Sequence, residues 1–212
     1  MSPRSSSPLQ VLQGLLTAAP LFALAATLAL TWYDPMSVDN GRWVKLGVGI
    51  MVLEFILVHS GGMMSGFRKT RDRAQWQVMA ALMGFYLLFA VVFSIAFESW
   101  YLMAVFTAVM LTRWMDIFTN PDHAPELARR RSGVSAMFYL LAVFASVMID
   151  WPELGLTSSV LSEVYPARGG GEWQRDPERA LAAGVLYFSL MGLREVLAGI
   201  RPPRLSQPQP GA

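Results

Sequence analysis

The sequence predicts an all-α fold: a polytopic membrane bundle of six transmembrane helices with both termini cytoplasmic. Three observations predict it. Apolar blocks of about 20 residues recur along the chain, the loops between them alternate in charge, and Trp residues fall at the block ends. The 212 residues are 54% hydrophobic and 15% charged, and mean hydropathy is +0.40. Soluble domains carry about 25% charged residues.

The first block runs from Leu9 to Trp32 and stops at Asp34-Pro35. Arg4 and the small residues Ala23, Ala25 and Ala26 give it some signal-peptide character. It is longer than a signal h-region of roughly 7–15 residues and ends in Trp32-Tyr33, so it reads as a retained span. Cleavage would leave five spans with unchanged orientation. The other blocks span about 43–62, 76–97, 99–118, 132–151 and 180–200, the last closed by Pro202-Pro203. At about 1.5 Å rise per residue, each crosses roughly 30 Å of hydrocarbon. Helices are expected because lipid offers backbone amides no partners. Residues 1–8 form a short cytoplasmic N-terminus, 9–200 the membrane domain, and 201–212 a Pro/Gln-rich disordered tail.

Loop charge sets the orientation. Arg4, Arg68, Lys69, Arg71, Arg73, Arg129, Arg130, Arg131, Arg201 and Arg204 share one side. The other side holds Asp34, Asp39, Glu98, Asp150, Glu153, Glu163, Glu172, Asp176 and Glu178 against Arg42, Lys45, Arg168, Arg175 and Arg179. The positive-inside rule makes the first side cytoplasmic. Arg outnumbers Lys 15 to 2, which fits a GC-rich bacterial genome and hence a bacterial inner membrane. Trp32, Trp43, Trp76, Trp100 and Trp151 read as an interfacial belt.

Between spans, Pro125-Glu126 predicts the start of one short cytoplasmic helix. The third and fourth spans are expected to form a tight pair about Glu98. In the long 152–179 loop, 156–165 is apolar enough to lie on the membrane surface, and Gly169, Gly170 and Gly171 form a joint. Asp176-Pro177-Glu178 predicts an N-cap, N1 proline and first-turn acid. The small-residue spacings Ala19/Ala23 and Ala80/Gly84 predict helix-packing faces.

The chemistry-bearing residues lie in alternate spans. Glu54 is roughly 18 Å into the second span, and His59 about 7 Å deeper. Arg113 and Asp116 lie roughly 21 and 25 Å into the fourth, and Arg194 and Glu195 roughly 21 and 23 Å into the sixth. The interiors of the first, third and fifth spans carry no ionisable residue. Packing of the second, fourth and sixth helices would let Glu54 and Asp116 pair with Arg113 and Arg194. Arg194, Glu195 and Asp116 are also shallow enough to snorkel to the cytoplasmic headgroups. Glu54 is too deep for that, and charge at membrane depth costs roughly 2.5–3.5 kcal/mol or more, so it is the leading functional candidate.

Several chemistries are excluded or poorly served. The chain has no Cys, which removes disulfides, thiolate metal sites and a Cys nucleophile. It has two His, and only His59 lies in a span, so bis-His haem ligation within one chain is excluded. Glu54 and His59 are about 140° apart around the helix, unlike a chelating i, i+4 pair. Ser60 lacks the Gly-x-Ser-x-Gly elbow. The basic residues form no nucleic-acid stripe. The sequence therefore predicts no cofactor, metal or catalytic residue. The expected partners are the lipid bilayer, a small ion or solute, and a second copy or membrane protein. Two functions compete: a small proton- or ion-linked transporter or channel-like protein, and a non-catalytic scaffold whose polar layer only fixes helix packing.

Overall fold

The computed structural model describes residues 8–64, 73–96, 100, 103–104, 107, 124–166 and 171–200, and every regular element among them is helical. The long helices are α1 (Pro8–Tyr33), α2 (Arg42–Met64), α3 (Arg73–Ala96) and α4 (Ala124–Met148). Two short helices follow, α5 (Ser158–Val164) and α6 (Glu172–Arg175), and then the long α7 (Pro177–Ile200). The predicted 99–118 span, its hinge at Glu98, the termini and the basic 65–72 loop lie outside the described residues, apart from isolated positions in the fourth block.

Helix limits follow local chemistry. Asp34-Pro35 ends α1, with the Asp34 N–H donating to the Leu30 carbonyl at 2.7 Å. Pro177 takes the first position of α7, where its missing N–H costs no intrahelical bond, and Arg179 N–H donates to the Asp176 carbonyl. One expectation is corrected: no break separates a short helix at Pro125 from the fifth span. The helix α4 runs unbroken from Ala124 through Arg129, Arg130 and Arg131 to Met148. Pro125 falls in its first turn, where proline is tolerated, and the following Leu, Ala and Arg residues are good helix formers.

The helix α7 is central. It packs along α1 and also contacts α2 and α4, while α3 lies against α2. The register is readable from close approaches. A Cβ on Gly14 would lie 2.9 Å from the Glu195 carbonyl oxygen, one on Gly192 would lie 2.9 Å from the Phe22 ring, and one on Gly184 would lie 2.5 Å from Leu28. Thus α1 runs antiparallel to α7, and side-chain bonds described below set α2 parallel and α4 antiparallel to it. This face of α1 is Gly14, Ala18, Ala25 and Leu28, all buried. Ala19, Ala23, Ala80 and Gly84 are instead exposed, and a Cβ on Gly84 would meet nothing within 4 Å. The small-residue expectation therefore fails at these positions. Close backbone approach happens where α1 meets α7, and the small residues there are Gly14 and Gly199.

The ends of α1 and α4 and the starts of α2 and α7 share one end of the bundle, closed by residues 34–41, 149–166 and 171–176. The segment expected on the membrane surface is folded inward: Leu156, Leu161 and Tyr165 are buried in the core with Leu28, Met51, Tyr139 and Tyr187. Ser159, Ser162 and Glu163 face outward. The short helix α5 is amphipathic, and its apolar side has a core to enter. Gly41, at φ +80°, lies so close to Val164 that a Cβ there would fall 2.4 Å from Cγ1. Only glycine fits both that backbone and that contact.

The outward faces are apolar. Leu88, Val92 and Ile95 on α3 and Leu140, Phe144, Val147 and Met148 on α4 are exposed, with Met148 at 80%. Buried positions include Thr31, Ser94 and Ser146. Two helices, α1 and α7, are long and apolar enough to cross a membrane. A signal sequence passes the same test near an N-terminus, as does a soluble core helix when buried, and 44% of the apolar window of α7 is buried. The stretches Ala80–Ile95 and Ser132–Met148 are apolar but shorter, and α2 carries Arg42, Lys45 and Glu54.

Candidate functional site

Glu54 stands on α2 three residues after Met51 and four before Val58, a spacing that puts all three on one helix face. Met51 and Val58 are buried and Glu54 is half-buried. This face looks toward α4 and α7. The Tyr187 hydroxyl of α7 donates to Glu54 Oε1 at 2.5 Å. Tyr187 is 1% exposed, so its hydroxyl has no access to bulk water and is satisfied within the bundle. One turn away, the Tyr139 hydroxyl of α4 donates to the Met51 carbonyl at 2.8 Å. The two tyrosine rings meet edge to face, 5.6 Å between centroids. Three helices thus meet beside Glu54: α2 carries the carboxyl, α7 the hydroxyl bonded to it, and α4 the Tyr139 ring packed against Tyr187.

Local sequence makes this approach feasible. Gly184 lies one turn before Tyr187, and a Cβ there would sit 2.5 Å from Leu28 and 3.2 Å from Met51 Sδ. Gly47 on α2 is equally tight against Leu181. These two glycines bring α2 and α7 close enough for a tyrosine hydroxyl to reach a glutamate.

Of the other predicted residues, His59, Arg194 and Glu195 are described, and no contact joins them to the Glu54–Tyr187 bond. His59 is exposed, its ring against Phe55 at 4.0 Å between centroids and its Nδ1 2.8 Å from the Phe55 carbonyl oxygen of its own helix. Arg194 donates to Glu195 Oε1 at 3.0 Å, so this pair is local to α7. It lies about 10 Å further along the helix than Tyr187. Arg113 and Asp116 lie outside the described residues, so the expected pairing through the fourth span does too. Among the described residues, no group of three His, Asp or Glu is placed to hold a metal ion.

Tyr187 and Tyr139 escaped the sequence reading, which sought its site among the Asp, Glu, Arg and His residues of the spans. A signal was present: Tyr187 is ten residues past the start of α7, and Glu54 is twelve past the start of α2. In parallel helices that start at one end, those depths match.

The closed end is stitched by indoles. Trp32 Nε1–H donates to the Pro152 carbonyl at 2.9 Å, Trp151 to Ala145 at 3.1 Å, and Trp173 to the Ser146 hydroxyl at 3.2 Å. Trp32 and Trp151 pack edge to face at 5.6 Å. Tyr165 is buried in the core against which Trp32 and Trp173 pack, and burial raises its hydroxyl pKa above the ordinary value. On the rim, Arg179 bridges Glu172 at 3.2 Å and Asp176 at 3.7 Å. Exposed pairs of this kind contribute about 0–1 kcal/mol.

The chain matches no protein-family model, and no curated protein or solved structure matches it.

Proposed function

We propose that the chain is a six-span integral membrane protein of a bacterial inner membrane, both termini cytoplasmic, acting as a small proton-linked transporter or channel-like protein. Glu54 is its protonatable centre. The observation that carries this reading is the Tyr187–Glu54 hydrogen bond: a half-buried carboxyl held by a fully buried hydroxyl, at a depth where an acid is costly to keep without a role. The membrane part is supported by the outward faces of α3 and α4. They present large apolar side chains to the surroundings, while serine, threonine and tyrosine hydroxyls lie inside. That arrangement suits lipid as the solvent.

Chemically, the carboxyl can accept and release a proton, and Tyr187 holds Oε1 in one orientation throughout. The hydroxyl donates to the carboxylate and also to the carbonyl oxygen of the neutral acid, so the site keeps its geometry in both states.

A scaffold reading is favoured by one specific feature. The Tyr187 bond to Glu54 comes from a neutral hydroxyl, and such a bond between helices can serve as packing glue alone. Proton flux into proteoliposomes under a pH gradient separates the two. Transport predicts flux in the wild type that is lost in Glu54→Gln, with the protein still folded. A scaffold predicts no flux in either and normal assembly of the amide variant.

A further inference from the structure

The connection between α4 and α7 does more than return the chain. Leu156, Leu161 and Tyr165 enter the same apolar core as Met51, Tyr139 and Tyr187. They fill the end from which α2 and α7 start, and Glu54 and Tyr187 lie roughly 18 and 15 Å below that end. Among the described residues, two hydrogen bonds tie this seal to Trp32 at the end of α1. The Pro152 carbonyl accepts from Trp32, and Gly155 N–H donates to the Trp32 carbonyl at 3.1 Å. Between these two anchors, Leu154 adopts a left-handed φ of 50°, a conformation that a branched side chain resists. Its side chain is exposed, so no burial compensates for the strain. The outward side of α5 is polar, which suits a segment whose far face meets water.

We propose that residues 152–165 form a strained plug that closes the Glu54–Tyr187 site from this end and exposes it to the same side when released. The proposal rests on the membrane reading above and adds to it the gate on the extracytoplasmic side.

The test exploits the absence of cysteine. Ala183 is 1% exposed and lies one turn nearer the plug than Tyr187, so Ala183→Cys is a single buried reporter. The full-length protein in proteoliposomes is treated with a membrane-impermeant maleimide on the plug side. Gly155→Ala places a Cβ 2.3 Å from the Tyr33 carbonyl oxygen and 2.7 Å from Pro35 Cδ, so the anchor must shift. Its labelling is expected to speed up by about tenfold or more. Leu154→Gly relieves the left-handed residue and favours the closed plug, so its labelling is expected to slow by roughly fivefold. The second variant carries the test if the first fails to fold. Labelling unchanged by Leu154→Gly, or equally fast from the opposite side, overturns the plug. Labelling that responds in both directions while no variant passes protons supports the plug and overturns the proton-linked reading instead.

Discussion

The Tyr187 hydroxyl donates to Glu54 Oε1 at 2.5 Å, joining α7 to α2 across 133 residues of sequence. This bond ties together helices that share a direction and a starting end. It makes the depth of Glu54 a property of two helices rather than one.

Removing that hydroxyl with Tyr187→Phe keeps the ring and its edge contact with Tyr139 but takes away the hydrogen bond that α7 donates to the carboxyl. Bonds between membrane helices are worth about 0.6–2 kcal/mol. The variant is expected to unfold at a lower midpoint in detergent by that margin, measured by circular dichroism. An unchanged midpoint would mean that the bond contributes nothing to helix association.

Glycines should divide into two kinds. A Cβ on Gly199 would lie 2.8 Å from the Gln10 carbonyl oxygen and 3.0 Å from Gly14 Cα, both backbone atoms that cannot swing aside. Gly199→Val is expected to separate α1 from α7 and to cost about 1–3 kcal/mol. Gly84→Ala meets open space and gains helix propensity, about 0.5–1 kcal/mol. Thermal midpoints of the two variants should therefore move in opposite directions.

Tyr165 gives the closed end an alkaline limit. Burial raises its pKa above the ordinary value of 10.0, so folding favours the neutral hydroxyl. The resulting stability is fully present below pH about 10 and is lost as pH rises from there through the folded-state value. Thiol labelling of Ala183→Cys is expected to accelerate above about pH 10, beyond the intrinsic rise in thiolate. Tyr165→Phe should suppress that excess. An identical excess in the phenylalanine variant would assign it to another group.

Two helix ends were legible because their punctuation is chemical: Asp34-Pro35 stops α1 and Asp176-Pro177 starts α7 where the sequence says so, whereas α4 ends at Met148, ahead of the expected stop at Pro152. The packing faces were not. Leucine and alanine recur around α1 on nearly every side, so no polar face marks its outside, and Ala19 and Ala23 looked as suitable as Gly14 and Ala18. Only the partner helix distinguishes them. Glu54 stood out because a carboxyl amid apolar residues is rare, whereas Tyr187 resembled core aromatic filling until its hydroxyl met an acceptor. Segment 156–165 showed its apolar character in sequence, but not whether that character would turn toward lipid or toward the bundle. The buried places of Leu156 and Leu161 show that it turns inward.

Infrared difference spectroscopy of the reconstituted protein through a pH titration tests the central claim most directly. A protonatable Glu54 predicts a carboxylic C=O band that appears and disappears with pH, is missing in Glu54→Gln, and shifts in frequency in Tyr187→Phe as its hydrogen bond is lost. Spectra of wild type and Glu54→Gln that coincide across the titration would contradict the account, leaving Glu54 as a fixed packing residue.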